Sequence, residues 1–97
     1  MSVLLVRPRR FGDARGWFSE SWNAERFAGW GVDVSFCQDN HSLSSAAGTL
    51  RGLHFQTPPY AQAKLVRCTR GAIFDVAVDI RKASPTYRAW VSAELSG

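Results

Sequence analysis

The apolar stretches of this chain are all short, and glycine, proline or a polar cluster cuts each of them off. This restricts the fold to brief strands joined by turns. Residues 3–6 stop at Arg7 and Pro8, residues 32–38 run into a polar cluster, and residues 49–56 stop before Pro58-Pro59. A further strand ends at Arg67, another follows Gly71, and a last one begins at Trp90. Beyond Gly71, Phe74, Val76, Val78 and Ile80 alternate with Asp75, Asp79 and Arg81, the pattern of a half-buried strand in an antiparallel sheet. One helix interrupts the series, over residues 23–31. Asn23 is its N-cap, Trp22 and Phe27 stand at the two positions of a hydrophobic staple, and Gly31 marks its end. Gly29 weakens it by about 1 kcal/mol. The pattern predicts an all-β sandwich or barrel with one short helix. The strand starting at Trp90 has no partner after it in sequence, so its edge is expected to pair with another subunit or with further chain.

The 97 residues make one domain at most, with a thin core that buries roughly 60% of the unfolded surface. At 45% hydrophobic, with four Trp and six Phe, the chain is too apolar to be disordered. Its net charge of +4 comes almost entirely from arginine, which favours an anionic partner, phosphate first, because guanidinium binds phosphate through two parallel hydrogen bonds. Cys37 and Cys68 form no CxxC pair, and a reduced intracellular protein is the simpler reading. No run reaches transmembrane length, and residues 3–6 are too short for a signal segment, so the cytoplasm is the expected compartment, with no membrane partner.

The chemistry concentrates in residues 48–67, GTLRGLHFQTPPYAQAKLVR. A neutral imidazole such as His54 is suited to taking a proton near pH 7, and Lys64 and Arg51 supply positive charge for a nearby enolate or phosphate. The alternative is a core histidine satisfied by a backbone carbonyl, with the basic residues on a solvated edge. Strand alternation puts His54 and Arg51 on opposite faces, so they share a pocket only if the strand is irregular, and Gly52 is where a bulge is tolerated. Gln38, Asp39, Asn40, His41 and Ser42 are either a turn capping its own backbone or the rim of a pocket. Arg15 lies in a tight bend between Asp13 and Gly16, beside Trp17 and Phe18, and is either solvated or presented to an anion.

The strings FGDARGWFSESW, FCQDNHSLS, GTLRGLHFQ, KLVR and DVAVDIRKASPTY, in that order, resemble the dTDP-4-dehydrorhamnose 3,5-epimerase family over about residues 7–95. The resemblance implies a metal-free, cofactor-free, cupin-like jelly roll, with residues 1–97 as a single cupin-like epimerase domain that is only the N-terminal portion of the fold. It implies a homodimer that exchanges strands and acts on a dTDP-linked 4-keto-6-deoxy sugar, inverting C3 and C5 in dTDP-L-rhamnose synthesis. By position, His54 is the proton acceptor and Lys64 lies near the C4 oxygen. Arg51 matches the arginine of LRGLH, Gln38, Asp39 and Asn40 match nucleotide contacts, and Arg15 and Glu20 match substrate contacts.

Two departures stand out: Ala63 occupies a position where the family usually has glycine, and Arg88 replaces the glycine of its SPTFG turn. The family's proton-returning tyrosine and the aspartate that pairs with its histidine match nothing here, Tyr60 and Tyr87 included, so activity of these 97 residues alone is not expected. Three other functions stand beside this one: a basic β-barrel binding single-stranded nucleic acid through arginines and aromatics, a relative inverting a single centre, and a non-catalytic sugar-nucleotide binder. A metal-dependent cupin would need more histidines than His41 and His54.

Overall fold

The computed structural model describes residues 3–97, which form two compact units, residues 3–21 with 66–97 and residues 22–65. The first unit holds four strands: β1 (Arg10–Asp13), β2 (Gly16–Ser19), β3 (Ala72–Val78) and β4 (Trp90–Ser96). They pair antiparallel as two separate two-stranded sheets, β1 with β2 and β3 with β4. The second unit holds α1 (Ala24–Gly29).

The helix follows from residues three to five apart. The Asn23 side chain accepts a hydrogen bond from the Arg26 amide at 3.0 Å, and the Trp22 and Phe27 rings meet at 4.5 Å between centroids, closing the staple. At the other end Gly31 adopts φ +89°. Its amide donates to the Ala28 carbonyl at 3.0 Å and the Val32 amide to the Phe27 carbonyl at 2.8 Å, the paired bonds of a Schellman cap. Phe27 is the buried hydrophobic side chain among the described residues, packed against Trp22 and Trp30 and next to the Trp22–Phe36 edge contact.

The strands depart from the alternation pattern in instructive ways. The tight bend expected around Arg15 is a β-hairpin with a two-residue turn, Ala14-Arg15, followed by Gly16 at φ +132°. Residues 3–6, 32–38, 49–56 and the stretch ending at Arg67, all expected as strands, have no ladder partner among the described residues and are not strands. Apolar alternation records which face a segment would bury; a strand also needs a neighbour for its amides and carbonyls, and that neighbour is non-local. β4 forms as expected, paired with β3 along its length from Val78↔Trp90 to Ala72↔Ser96. Burial in β3 does not alternate: Phe74 is exposed while Ala77 is half-buried, so position along the ladder, not face, sets its contact with protein.

The β3–β4 connection is tied around Asp79. Its carboxylate accepts from the Arg81 amide and guanidinium and from the hydroxyls of Ser84 and Thr86, the last two at 2.6 Å. These bonds, the Arg81 side chain foremost and then the hydroxyls, hold the carboxyl far below its ordinary range. The Asp79 backbone exchanges bonds with Ala89 and Arg88 at 2.9 and 2.7 Å, extending the ladder into the turn. Arg88 itself sits at φ +71°, and its guanidinium lies 5.2 Å from the Tyr87 ring. An L-residue there costs about 1–2 kcal/mol, which a glycine avoids at the expense of a floppier unfolded chain. Arg88→Gly is therefore expected to stabilise the protein by about 0.5–1 kcal/mol, read as a higher urea midpoint with an unchanged slope. A lower midpoint would mean that the Arg88 side chain outweighs its backbone strain.

Candidate active site

The residues named from sequence fall on both units, Arg15 and Glu20 on the first and Gln38, Asp39, Asn40, Arg51, His54 and Lys64 on the second. Arg15 occupies the hairpin turn because Asp13 holds it there. The Asp13 carboxylate accepts from the Arg15 amide at 2.8 Å, from Nε at 3.2 and 3.3 Å and from Nη2 at 2.6 Å. The Arg15 side chain pulls the Asp13 carboxyl below its usual range, with its amide adding to the effect, and Asp13 in turn raises the guanidinium. The pair is solvent-exposed, so it orients Arg15 more than it stabilises the fold. It occupies Nε and Nη2 and leaves Nη1 to meet an incoming anion. Phe11, Trp17 and Phe18 line a small cleft of about 200 Å³ with Arg15 and Asp13. Arg10 lies over the Trp17 ring at 4.1 Å. Glu20 follows β2 directly and is exposed.

In the second unit His54 is exposed and makes no hydrogen bond among the described residues, so the reading of a core histidine held by a carbonyl does not apply. Its neighbour Gly52 adopts φ +105°, and a Cβ there would stand 3.3 Å from His54 Nδ1. The irregularity expected at Gly52 is present as this left-handed residue instead of a bulge, because residues 49–56 have no ladder partner among the described residues. Arg51 turns away to pin the preceding loop, donating from Nε to the Ser44 hydroxyl at 3.1 Å and from Nη2 to the Leu43 carbonyl at 3.2 Å. Lys64 is exposed. The side chains of Gln38, Asp39 and Asn40 are likewise exposed and cap no backbone among the described residues, which removes the turn-capping alternative for these three.

A cleft of about 600 Å³ runs between residues 34–38 and 56–63. Of the residues named from sequence only Gln38 lines it; Gln56, Tyr60 and Gln62 line it too, and Gln62 donates to the Cys37 sulfur at 3.5 Å. Sequence reasoning gave these glutamines no role in the site, although their spacing around Pro58-Pro59 is visible, and it read Asp13 as a turn former without seeing it as the partner that holds Arg15, for which the D-x-R spacing is the signal. No three His, Cys, Asp or Glu side chains gather in metal-binding range among the described residues.

The family model of dTDP-4-dehydrorhamnose 3,5-epimerase matches residues 1–97. This chain belongs to that family. It is 64% identical over 94 residues to the dTDP-4-dehydrorhamnose 3,5-epimerase of Sinorhizobium fredii, a match covering 97% of this chain and 48% of that protein. To the Escherichia coli K12 epimerase it is 59% identical over 95 residues, 97% of this chain and 51% of that one. The crystal structure of the Bacillus anthracis epimerase with TDP and PPi bound is 55% identical, with a TM-score of 0.89 over 92% of this chain and 51% of its own. The fold is thus the all-β, cupin-like one expected, and the chain spans about half the length of the curated relatives it matches.

The Gly52–His54 contact has a measurable consequence in this family member. Gly52→Ala places a side chain where left-handed backbone costs an L-residue about 1–2 kcal/mol and crowds the imidazole. It is expected to lower stability by that amount and to shift the His54 ring resonances, while Gly48→Ala, with open space around it, leaves those resonances in place. Unmoved His54 signals in Gly52→Ala would show that Gly52 does not position the ring.

Proposed function

We propose that this chain supplies the proton-abstracting and nucleotide-binding part of an epimerase acting on dTDP-4-dehydro-6-deoxyglucose. The single observation behind this reading is the match of the family over all 97 residues, with His54 inside the matched stretch and accessible. The TDP in the Bacillus anthracis structure supports a dTDP-sugar as substrate. The 97 residues act as one cupin-like part of a longer fold, in a cytoplasmic homodimer.

In this mechanism the neutral His54 imidazole takes the proton from a carbon next to the C4 ketone. The electron pair of the broken C–H bond passes into the carbonyl, giving an enolate whose oxygen is stabilised by the Lys64 ammonium. Return of a proton to the same carbon from the opposite face regenerates the ketone with inverted configuration, and deprotonation of the imidazolium resets the base. Gln38, Asp39, Asn40 and Arg51 hold the nucleotide, and Glu20 contacts the sugar. Abstraction and return on opposite faces need two groups, and His54 is the one this chain contributes.

The test joins the 97 residues to the half of the Sinorhizobium fredii relative that they do not match. In that chimera His54→Ala is expected to lower turnover about 10²–10⁴-fold, with little change in dTDP affinity, the usual worth of a positioned general base. Solvent deuterium entering C3 or C5 at the parental rate would remove His54 from this role. The 97 residues alone are expected to show no turnover.

Arg15 is assigned to a neighbouring subunit's substrate, because a two-stranded hairpin with exposed aromatics favours exchange between protomers. A charge-assisted contact with diphosphate is worth about 1.5–3 kcal/mol, so Arg15→Ala should weaken dTDP binding roughly ten- to a hundredfold. Mixing Arg15→Ala and His54→Ala chimeras under subunit exchange then restores activity above either variant alone. Demonstrated exchange without recovery would put Arg15 in its own subunit's site or outside it.

A further inference from the structure

The Asp13–Arg15 pair sets two physical effects of opposite sign against each other. Asp13 puts a negative charge beside the guanidinium that is to meet an anion, and by charge alone this weakens the contact. Against that, the Arg15 side chain is 90% exposed, and its hydrogen bonds among the described residues all go to Asp13. A long side chain left free has to be ordered when a ligand arrives, and that ordering weakens binding. Asp13 has ordered it beforehand.

The carboxylate does two separable things. Oδ1 accepts from the Arg15 amide at 2.8 Å, which closes the turn. Oδ2 accepts from Nη2 at 2.6 Å, and the two oxygens share Nε at 3.3 and 3.2 Å, which fixes the guanidinium. Asp13 thereby fills the Nε–Nη2 edge, one of those through which arginine takes a free phosphate in two parallel bonds. The tip remains, Nη1 with the second hydrogen of Nη2. Approach from the tip suits a diphosphate whose place is already set by the rest of a bound nucleotide, more than an anion free to choose its own direction. All of these bonds join residues two apart, so the arrangement is complete within the β1–β2 hairpin.

We infer that Asp13 is a positioning residue for anion recognition by this hairpin: it lowers the charge attraction of Arg15, fixes its direction, and so favours a nucleotide-linked diphosphate over a free one. The inference rests on the proposed contact between Arg15 and the substrate's diphosphate, and adds to it the residue that sets its direction and selectivity.

Asp13→Asn separates the two roles. Its amide oxygen still accepts from the Arg15 backbone and keeps the turn, while its NH₂ group cannot accept from Nε or Nη2. Titration calorimetry on the chimera with the Sinorhizobium fredii half, using dTDP and inorganic pyrophosphate as probes, reads the outcome. Asp13→Asn is expected to weaken dTDP binding about two- to tenfold, the usual cost of ordering one long side chain. Pyrophosphate should bind as tightly as in the parent or more tightly, since the added positive charge then acts without a directional demand. The urea midpoint should stay in place, and in an Arg15→Ala background Asp13→Asn should have no further effect on dTDP binding. Unchanged or tighter dTDP binding in Asp13→Asn, an equal loss for pyrophosphate, or a loss that persists without the Arg15 guanidinium would overturn the inference. Weaker dTDP binding in Arg15→Ala beside unaltered binding in Asp13→Asn would remove Asp13 from this role and leave the Arg15 contact standing. Unaltered binding in both variants would remove the Arg15 contact as well.

Discussion

Backbone hydrogen bonds closed over short sequence distances hold this chain's structure, because very little side-chain burial is available to do so. Phe27 is the buried hydrophobic side chain among the described residues, and burial of one phenylalanine contributes only about 1.5–3 kcal/mol. What is ordered is ordered by capping and turns. The Asn23 cap and the Gly31 reversal complete both ends of α1, the Ala14-Arg15 turn closes β1 on β2, and the Asp79 knot closes β3 on β4. Each satisfies polar backbone groups that would otherwise have to find water or a partner elsewhere.

The same devices position the candidate site. Asp13 fixes the direction of Arg15 through four hydrogen bonds while leaving the guanidinium in solvent, which keeps its charge accessible to an anion. Arg51 is committed to the loop before it, so its part in nucleotide binding would be shared with a structural one. His54 is placed by Gly52, whose left-handed backbone turns the chain just before it. Charge on arginine therefore plays two roles here, with Arg51 and Arg81 tying loops and Arg15 left exposed at a turn tip. Composition alone could not have divided these roles, since all ten arginines contribute equally to the net charge of +4.

Family membership and fold class were legible because the motifs QDNHS, LRGLH, KLVR and DVAVDIR stand in order along one chain, and the family match spans all of it. The departure at Arg88 was legible as well. A glycine expected at that position signals positive φ, and the backbone adopts φ +71° with arginine there. The Asp13–Arg15 hairpin was visible as a bend but not as two strands, because its strands are only four residues each and carry arginine, glycine and aspartate where alternation would need apolar residues.

What the sequence determined by itself is therefore whatever depends on residues a few positions apart: the helix with both caps and the turn around Arg15. Those features are set by local sterics and by hydrogen bonds between near neighbours, so the residue types announce them. The tertiary structure alone decided which apolar stretches became strands. Residues 32–38 and 49–56 have the side chains of strands, and β3 has them too, yet only β3 finds a ladder among the described residues. A strand is completed by amides and carbonyls from a distant segment, and no property of its own residues supplies them.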